Sequence, residues 1–320
     1  MKSLWSRCQH WAHDGRLYAV LLAAGFALKA IFVKLGYAAG PVDALTLLTL
    51  RMGFALPLFL WLIWLSRNPA QARLSLADIG RIWLLALLGY YLSSLFDFYG
   101  LQYISSGLER LILYLYPTLV LLFQACLSRR LPSGRTAQAM GICYVGLGIA
   151  FMHDLGQSGY GAQVLTGAAW VAASAVTYAL YYIGTGEMVQ RVGSMRLAGL
   201  AGAASCVLVL VHFLLTGDPA ALPRLPAGVW INGALMALLS TALPIYWMAL
   251  AIQRMGATHA AAVGSLGPVL TVCASWMLLG EPVSYYQLGG LALVMLGVAR
   301  LKPEAQHKSG AAPVAAAKTA

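Results

Sequence analysis

Charge is scarce in this chain. Of its 320 residues, 10% are charged and only ten are acidic. A soluble domain carries roughly a quarter charged residues, so this chain has too little polarity to cover a water-facing surface. The 21 basic residues give a formal net charge of +11. In a soluble protein that surplus would suggest nucleic acid, but no basic run interleaved with aromatics occurs, and nucleic acid is not an expected partner. The five cysteines (Cys8, Cys126, Cys143, Cys206 and Cys273) are isolated in sequence. With no C-x-x-C pair or Cys/His cluster, neither a disulfide framework nor a metal site is supported. H-E-x-x-H, G-x-S-x-G and a nucleophile paired with a base are also missing, so no enzyme activity and no cofactor are expected. The first 16 residues are long and polar for the start of a signal peptide, and no small-x-small cleavage site follows. The first apolar run is therefore read as retained.

What the chain does have is apolar length. Hydrophobic residues make up 60% of it. They fall into ten segments, near 17–38, 44–66, 80–101, 107–128, 136–153, 163–185, 196–216, 228–251, 256–279 and 284–301. Each approaches the length a helix needs to cross about 30 Å of hydrocarbon. The expectation is an all-α integral membrane protein of ten spans, multi-pass in the cell (inner) membrane. Basic residues separate by side. With the N-terminus inside, 16 Lys and Arg lie in cytoplasmic segments and one, Arg224, in an outside loop. That asymmetry sets both termini in the cytoplasm, where basic loops also meet anionic headgroups. Residues 1–16 and 302–320 are read as cytoplasmic tails, the latter Ala-rich and disordered.

The chain also repeats itself. Pro117-Thr-Leu-Val recurs as Pro268-Val-Leu-Thr 151 residues later, and Gln102 stands to Pro117 as Gln253 stands to Pro268. Gly141 and Gly148 recur as Gly290 and Gly297, each 149 residues on. The repeats, 17–153 and 161–301, thus hold five spans each. Five is odd, so the second copy enters the membrane from the opposite side. Inverted repeats of this kind recur in secondary transporters, where the halves exchange conformations to alternate access. Shared ancestry without that mechanism is the competing reading.

The motifs resemble a known family. Gly280-Glu281-Pro282 through Gln287 to Gly290 and Gly297, Ala30 to Lys34 followed by Arg51, and Gly107-Leu-Glu109-Arg110 through Pro117 are similar to EamA-type members of the drug/metabolite transporter superfamily. The resemblance covers about 17–301. It implies a ten-helix bundle of inverted five-helix repeats moving a small metabolite. Arg129-Arg130 stands where the second repeat has Gly280-Glu281.

Ionisable groups inside spans cost about 2.5–3.5 kcal/mol at mid-membrane on insertion scales, so each calls for a reason. Six occur, all in the first repeat: Lys29, Lys34, Arg51, Asp97, Glu109 and Arg110. Counting about 1.5 Å per residue from the helix ends puts Lys29 and Arg51 near the midplane and the other four nearer the outer surface. The expectation is that Lys29 and Arg51 line a wet cavity and attract a carboxylate. Depth favours Lys29 over Lys34 on the first helix, whereas the resemblance favours Lys34. Asp97, Glu109 and Arg110 form an outer gate or ion pair with Lys34; the alternative is snorkelling and packing. Asp97, Glu109, His212 and His259 are the titratable candidates for proton coupling, and no carboxylate is placed at the midplane.

Pro117 and Pro268, being symmetry mates, are hinge candidates, since each proline removes a helical hydrogen bond. Tyr114, Tyr178 and Trp247 are the mid-span aromatics that would line a pocket, against the commoner role of interface anchor. The glycine pairs make helices 5 and 10 close-packing scaffold or homodimer helices. The function expected is secondary transport, with export of a small metabolite such as an amino acid or amphiphilic solute. A channel or a non-transporting membrane scaffold is the alternative. The expected partners are a small-molecule substrate and the lipid bilayer.

Overall fold

The computed structural model describes residues 16–67, 73–129, 133–157, 161–255, 266–282 and 284–300. They are helical, and no strand occurs among them. In chain order the helices are α1 (Arg16–Ala38), α2 (Ala44–Leu65), α3 (Leu76–Leu85), α4 (Ser93–Leu101), α5 (Ser106–Leu113), α6 (Tyr116–Ser128), α7 (Gly134–Gln157), α8 (Gly161–Val192), α9 (Ser194–Thr216), α10 (Ala227–Ala237), α11 (Leu243–Met255), α12 (Gly267–Ala274) and α13 (Tyr285–Arg300). Among the described residues, seven stretches are long and apolar enough to cross a membrane, against the ten spans expected: Leu17–Ala38, Ala44–Leu65, Leu76–Leu101, Ser106–Ser128, Gly161–Gly186, Ser194–Thr216 and Ala227–Met248.

Helix starts follow local chemistry. Asp43 caps α2 by accepting from the Thr46 N–H at 3.1 Å. Ser75 and Asp78 form a reciprocal capping box at α3, and Ser105 accepts from Leu108 N–H at 3.2 Å to start α5. Each satisfies a backbone donor that the first helical turn would leave open.

Three stretches of wider π-helical winding interrupt the rods: Ala86–Leu92 between α3 and α4, Leu238–Ala242 between α10 and α11, and Ser275–Leu279 after α12. The 151-residue offset read from the sequence carries the first onto the second. It also carries the helix start capped by Leu115, before Pro117, onto the helix start capped by Leu266, before Pro268. The same offset maps Arg129, left-handed at φ 50°, onto Gly280 at φ 66°. The two repeats therefore share their irregularities as well as their helices. Gly280 adopts that backbone freely, while Arg129 adopts it against its Cβ.

α7 and α13 form the closest pair in the bundle. A Cβ on Gly146 would lie 2.7 Å from Gly290 O, and one on Gly290 would lie 2.5 Å from Gly146 O. The seam therefore uses Gly146 with Gly290 and Gly297. Gly141 and Gly148 lie off this seam, with nothing within 4 Å of a built Cβ. The largest buried cluster joins α1, α2, α4, α9 and α10 around Phe59, Phe98, Met52 and Met236.

Candidate functional site

Four of the charged side chains expected inside the bundle meet at one place. Lys29 on α1 puts Nζ 2.7 Å from Asp97 Oδ2 on α4 and 3.8 Å from Glu109 Oε1 on α5. Arg110 places Nε 3.9 Å from Glu109 Oε2 and donates from Nη2 to the Phe26 carbonyl at 2.8 Å. Asp97 is 1% exposed and Glu109 is 0% exposed. An isolated buried ion costs several kcal/mol, and the Lys29 ammonium and Arg110 guanidinium beside two carboxylates offset that cost by mutual attraction. The three helices converge because α5 packs against α1, α4 and α8 of the bundle and also against α12 and α13.

The expected pairing of Asp97, Glu109 and Arg110 with Lys34 is not the one found: Lys29 is the ammonium beside the two carboxylates. Lys34 lies elsewhere, half-buried, and the carboxylate whose charge acts on it is Glu281.

Arg51 on α2 is 5% exposed. Its Nε donates to Thr241 Oγ1 at 2.9 Å and its Nη1 to Ser94 Oγ at 3.4 Å. The guanidinium sits 5.7 Å from the centroid of the Phe98 ring. Thr241 lies in the π-helical turn Leu238–Ala242 and itself donates to the Met236 carbonyl at 3.0 Å. Arg51 thus ties the first repeat to the irregular turn of the second. Among the described residues, both its hydrogen-bond partners are neutral hydroxyls.

Of the aromatic candidates, Tyr114 and Tyr178 join one cluster through Tyr116. Ring centroids are 6.4 Å apart for Tyr114 and Tyr116, 5.0 Å for Tyr116 and Tyr178, and 5.3 Å for Tyr116 and Tyr182. Tyr181 extends it to Tyr90 at 5.5 Å. Trp247 is half-buried in α11, apart from these rings. Its neighbour Tyr246 meets Trp61 at 6.1 Å. His212 bonds through Nδ1 to Tyr91 OH at 2.8 Å, a packing contact away from the cluster. His259 lies outside the described residues.

One contact had no sequence signal. The Glu281 carboxylate, in the connection before α13, accepts from the Ser106 N–H at 3.1 Å and from Ser106 Oγ at 3.3 Å. A residue of the second repeat thereby caps a helix of the first, where an anion is favoured by the helix N-terminus. The partners are 175 positions apart. At the other end of the bundle, Arg191 Nη2 reaches Asp78 Oδ2 at 2.9 Å.

Long apolar helices, internal repeats that share their breaks, and a buried cluster of compensated charge define a polytopic membrane transporter. The chain belongs to the EamA-like transporter family, whose model matches residues 14–152 and again 165–301, one match per repeat, within the drug/metabolite transporter superfamily. It is 29% identical over 298 residues to the uncharacterized transporter YcbK of Bacillus subtilis (strain 168), covering 90% of this chain and 93% of that one. A solved crystal structure aligns with TM-score 0.59 over 90% of this chain and 95% of its own, at 18% identity, which shows a shared fold alone.

Proposed function

We propose that the protein is a secondary transporter that exports a small metabolite, such as an amino acid or an amphiphilic solute, by alternating access between its inverted repeats. In this reading it spans the inner membrane ten times with both termini in the cytoplasm. The observation that carries it is the gathering of Lys29, Asp97, Glu109 and Arg110 from three apolar helices into one buried cluster, with Arg51 strapped to Thr241 of the opposite repeat. Charge of this kind inside a membrane marks a solute or ion path more often than a scaffold.

Because Asp97 and Glu109 already hold Lys29, Arg51 is the cation left to attract a substrate carboxylate, with Thr241 and Ser94 as hydroxyl partners. Tyr114, Tyr116 and Tyr178 offer ring faces to an apolar side chain. Lys34 and Trp247 belong to the wider path in this reading. The mirrored breaks before Pro117 and Pro268 are the hinges at which helices 4 and 9 exchange shapes.

The test is exchange of a labelled amino-acid mixture in proteoliposomes. Saturable uptake stimulated by internal unlabelled mixture is expected. Arg51→Ala is expected to lose at least ten-fold in rate while remaining folded, with Arg110→Ala keeping a larger share. An ohmic current without saturation would favour the channel reading. Metabolite profiling of medium from overexpressing and deleted cells reports direction: enrichment in the medium supports export, and depletion contradicts it.

A further inference from the structure

The helices sort into two groups. α1 packs on α11 and α12, and its counterpart at the 151-residue offset, α8, packs on α4 and α6 with α5 beside them. Four polar contacts tie the first group to the second. In the last turn of α1, Tyr37 OH donates to the Phe98 carbonyl of α4 at 2.7 Å. Lys29 meets Asp97, Arg110 donates to the Phe26 carbonyl, and Glu281, just after α12, accepts from the Ser106 N–H at 3.1 Å. Tyr37, Phe98, Ser106 and Glu281 all stand beside the connections 39–43, 102–105 and 280–284, at one end of the bundle. At the other end the Arg191 to Asp78 pair joins α8 to α3, which pack together. The arm that carries Glu281 is fixed at both sides. Gly280 turns left-handed at φ 66°, the Glu281 N–H returns to the Ser275 carbonyl at 3.3 Å, and Ser284 Oγ accepts from the Gln287 N–H at 3.2 Å to start α13. The arm also comes close to α5: a Cβ on Gly107 would lie 3.7 Å from Gln287 Oε1 and 3.8 Å from Val272 Cγ2. At the counterpart of Glu281 the first repeat carries Arg130. The sequence thus writes this position with an anion in one repeat and a cation in the other, and a helix N-terminus favours the anion.

We propose that Glu281 is a one-sided latch: seated on the first turn of α5, it holds the two helix groups together at the end formed by 39–43, 102–105 and 280–284, and the structure is the state closed at that end. In the ten-span topology proposed above, that end is extracellular. Opening draws the groups apart there and returns both the carboxylate and the Ser106 N–H to water. A hydrogen bond to an ionised acceptor contributes more than a neutral one, yet water replaces most of it on release. The latch therefore biases the balance between closed and open without locking it. Tyr37 adds a neutral bond to the same closure. The proposal rests on the transport reading for its premise that the two groups move against each other.

Electron–electron double resonance on the full chain in lipid nanodiscs, without substrate, reads both ends. Cys8 and the exposed Cys126 and Cys273 are replaced by serine, while Cys143 and Cys206 are buried and stay. Nitroxides at Ala38→Cys and Tyr103→Cys, both exposed, span the latched end, and nitroxides at Val20→Cys and Gln190→Cys, also exposed, span the other. The parent protein is expected to show a short separation at the latched end. Glu281→Ala removes the acceptor. Ser106→Pro removes the donor at the first helical position, where proline fits. Each is expected to lower the closed-to-open ratio at the latched end about ten-fold, while the separation at the other end shortens. The variants act on the two partners of one bond, so if one does not fold the other still reads the latch, and the parent alone must show the short separation. A long separation at the latched end of the parent, unmoved separations in a folded variant, or lengthening at both ends together overturns the proposal; the last is general loosening. Exchange of the labelled amino-acid mixture by wild-type proteoliposomes is measured alongside. Exchange with unmoved separations removes the latch and keeps the transport reading. Reciprocal movement without exchange removes the amino-acid reading and keeps the latch.

Discussion

α5 and α6, the two halves of the fourth span (helix 4), are built from one continuous apolar stretch, Ser106–Ser128, and differ in burial. In α5, six of the eight residues are buried, among them Ser106, Glu109 and Leu111. In α6, Thr118 is the single buried residue of thirteen. α5 is gripped by both repeats: Glu281 caps its first turn, α12 and α13 lie alongside it, and Lys29 holds Glu109. α6 packs chiefly against α8, largely through Tyr116, Tyr178 and Tyr182. The division falls at Leu115; Pro117, in the first turn of α6, has no N–H to donate to the Leu113 carbonyl. One end is anchored by buried charge, and the other carries little of it; in the proposed transport cycle that end swings about the proline. Low burial and few partners are the physical content of local mobility.

The comparison can be broken most forcefully at Lys29. Lys29→Met leaves Asp97 and Glu109 with no ammonium beside them, and loss of one member of a buried charge group costs about 3–5 kcal/mol. Thermal unfolding in detergent is expected to show the loss, with the double variant Lys29→Met, Asp97→Leu recovering part of it. Next comes a matched pair of truncations in the two halves. Leu111, 1% exposed in α5, is expected to lose about 3 kcal/mol on Leu111→Ala. Leu122, 39% exposed in α6, is expected to stay within about 0.5 kcal/mol on Leu122→Ala. Equal costs would erase the contrast. A smaller effect is expected at the cross-repeat cap, where Glu281→Gln removes the anion from the Ser106 N–H and is expected to cost about 1 kcal/mol. The smallest effect has the opposite sign. Arg129→Gly relieves a left-handed residue at the end of α6 and is expected to stabilise by about 0.5–1 kcal/mol, read as a small rise in Tm.

Much of this frame was legible in the residues. Pro117 and Pro268, singled out as symmetry mates, each stand in the first turn of a helix that starts at the matching position, after Leu115 and Leu266. Fold features set by one residue type at one position survive translation from sequence. What escaped was set by contacts between distant segments. The π-helical turn at Ala86–Leu92 contains no proline and leaves no mark in sequence. Lys29 was not matched to Asp97, because the sequence does not show which faces of α1 and α4 meet. Within the chain, α7 meets α13 through Gly146, which the seven-residue repeat of Gly141 and Gly148 does not include. Arg51 was singled out correctly as a buried cation, but its Thr241 partner 190 positions away depends on the second repeat's irregular turn.

Hydrogen exchange of the full chain in lipid nanodiscs, resolved across helix 4, weighs the two halves against each other in one measurement. Amides of 108–113 are expected to exchange at least ten-fold more slowly than those of 119–128. Equal protection on both sides of Leu115 would contradict an anchored end and a mobile end joined at that break.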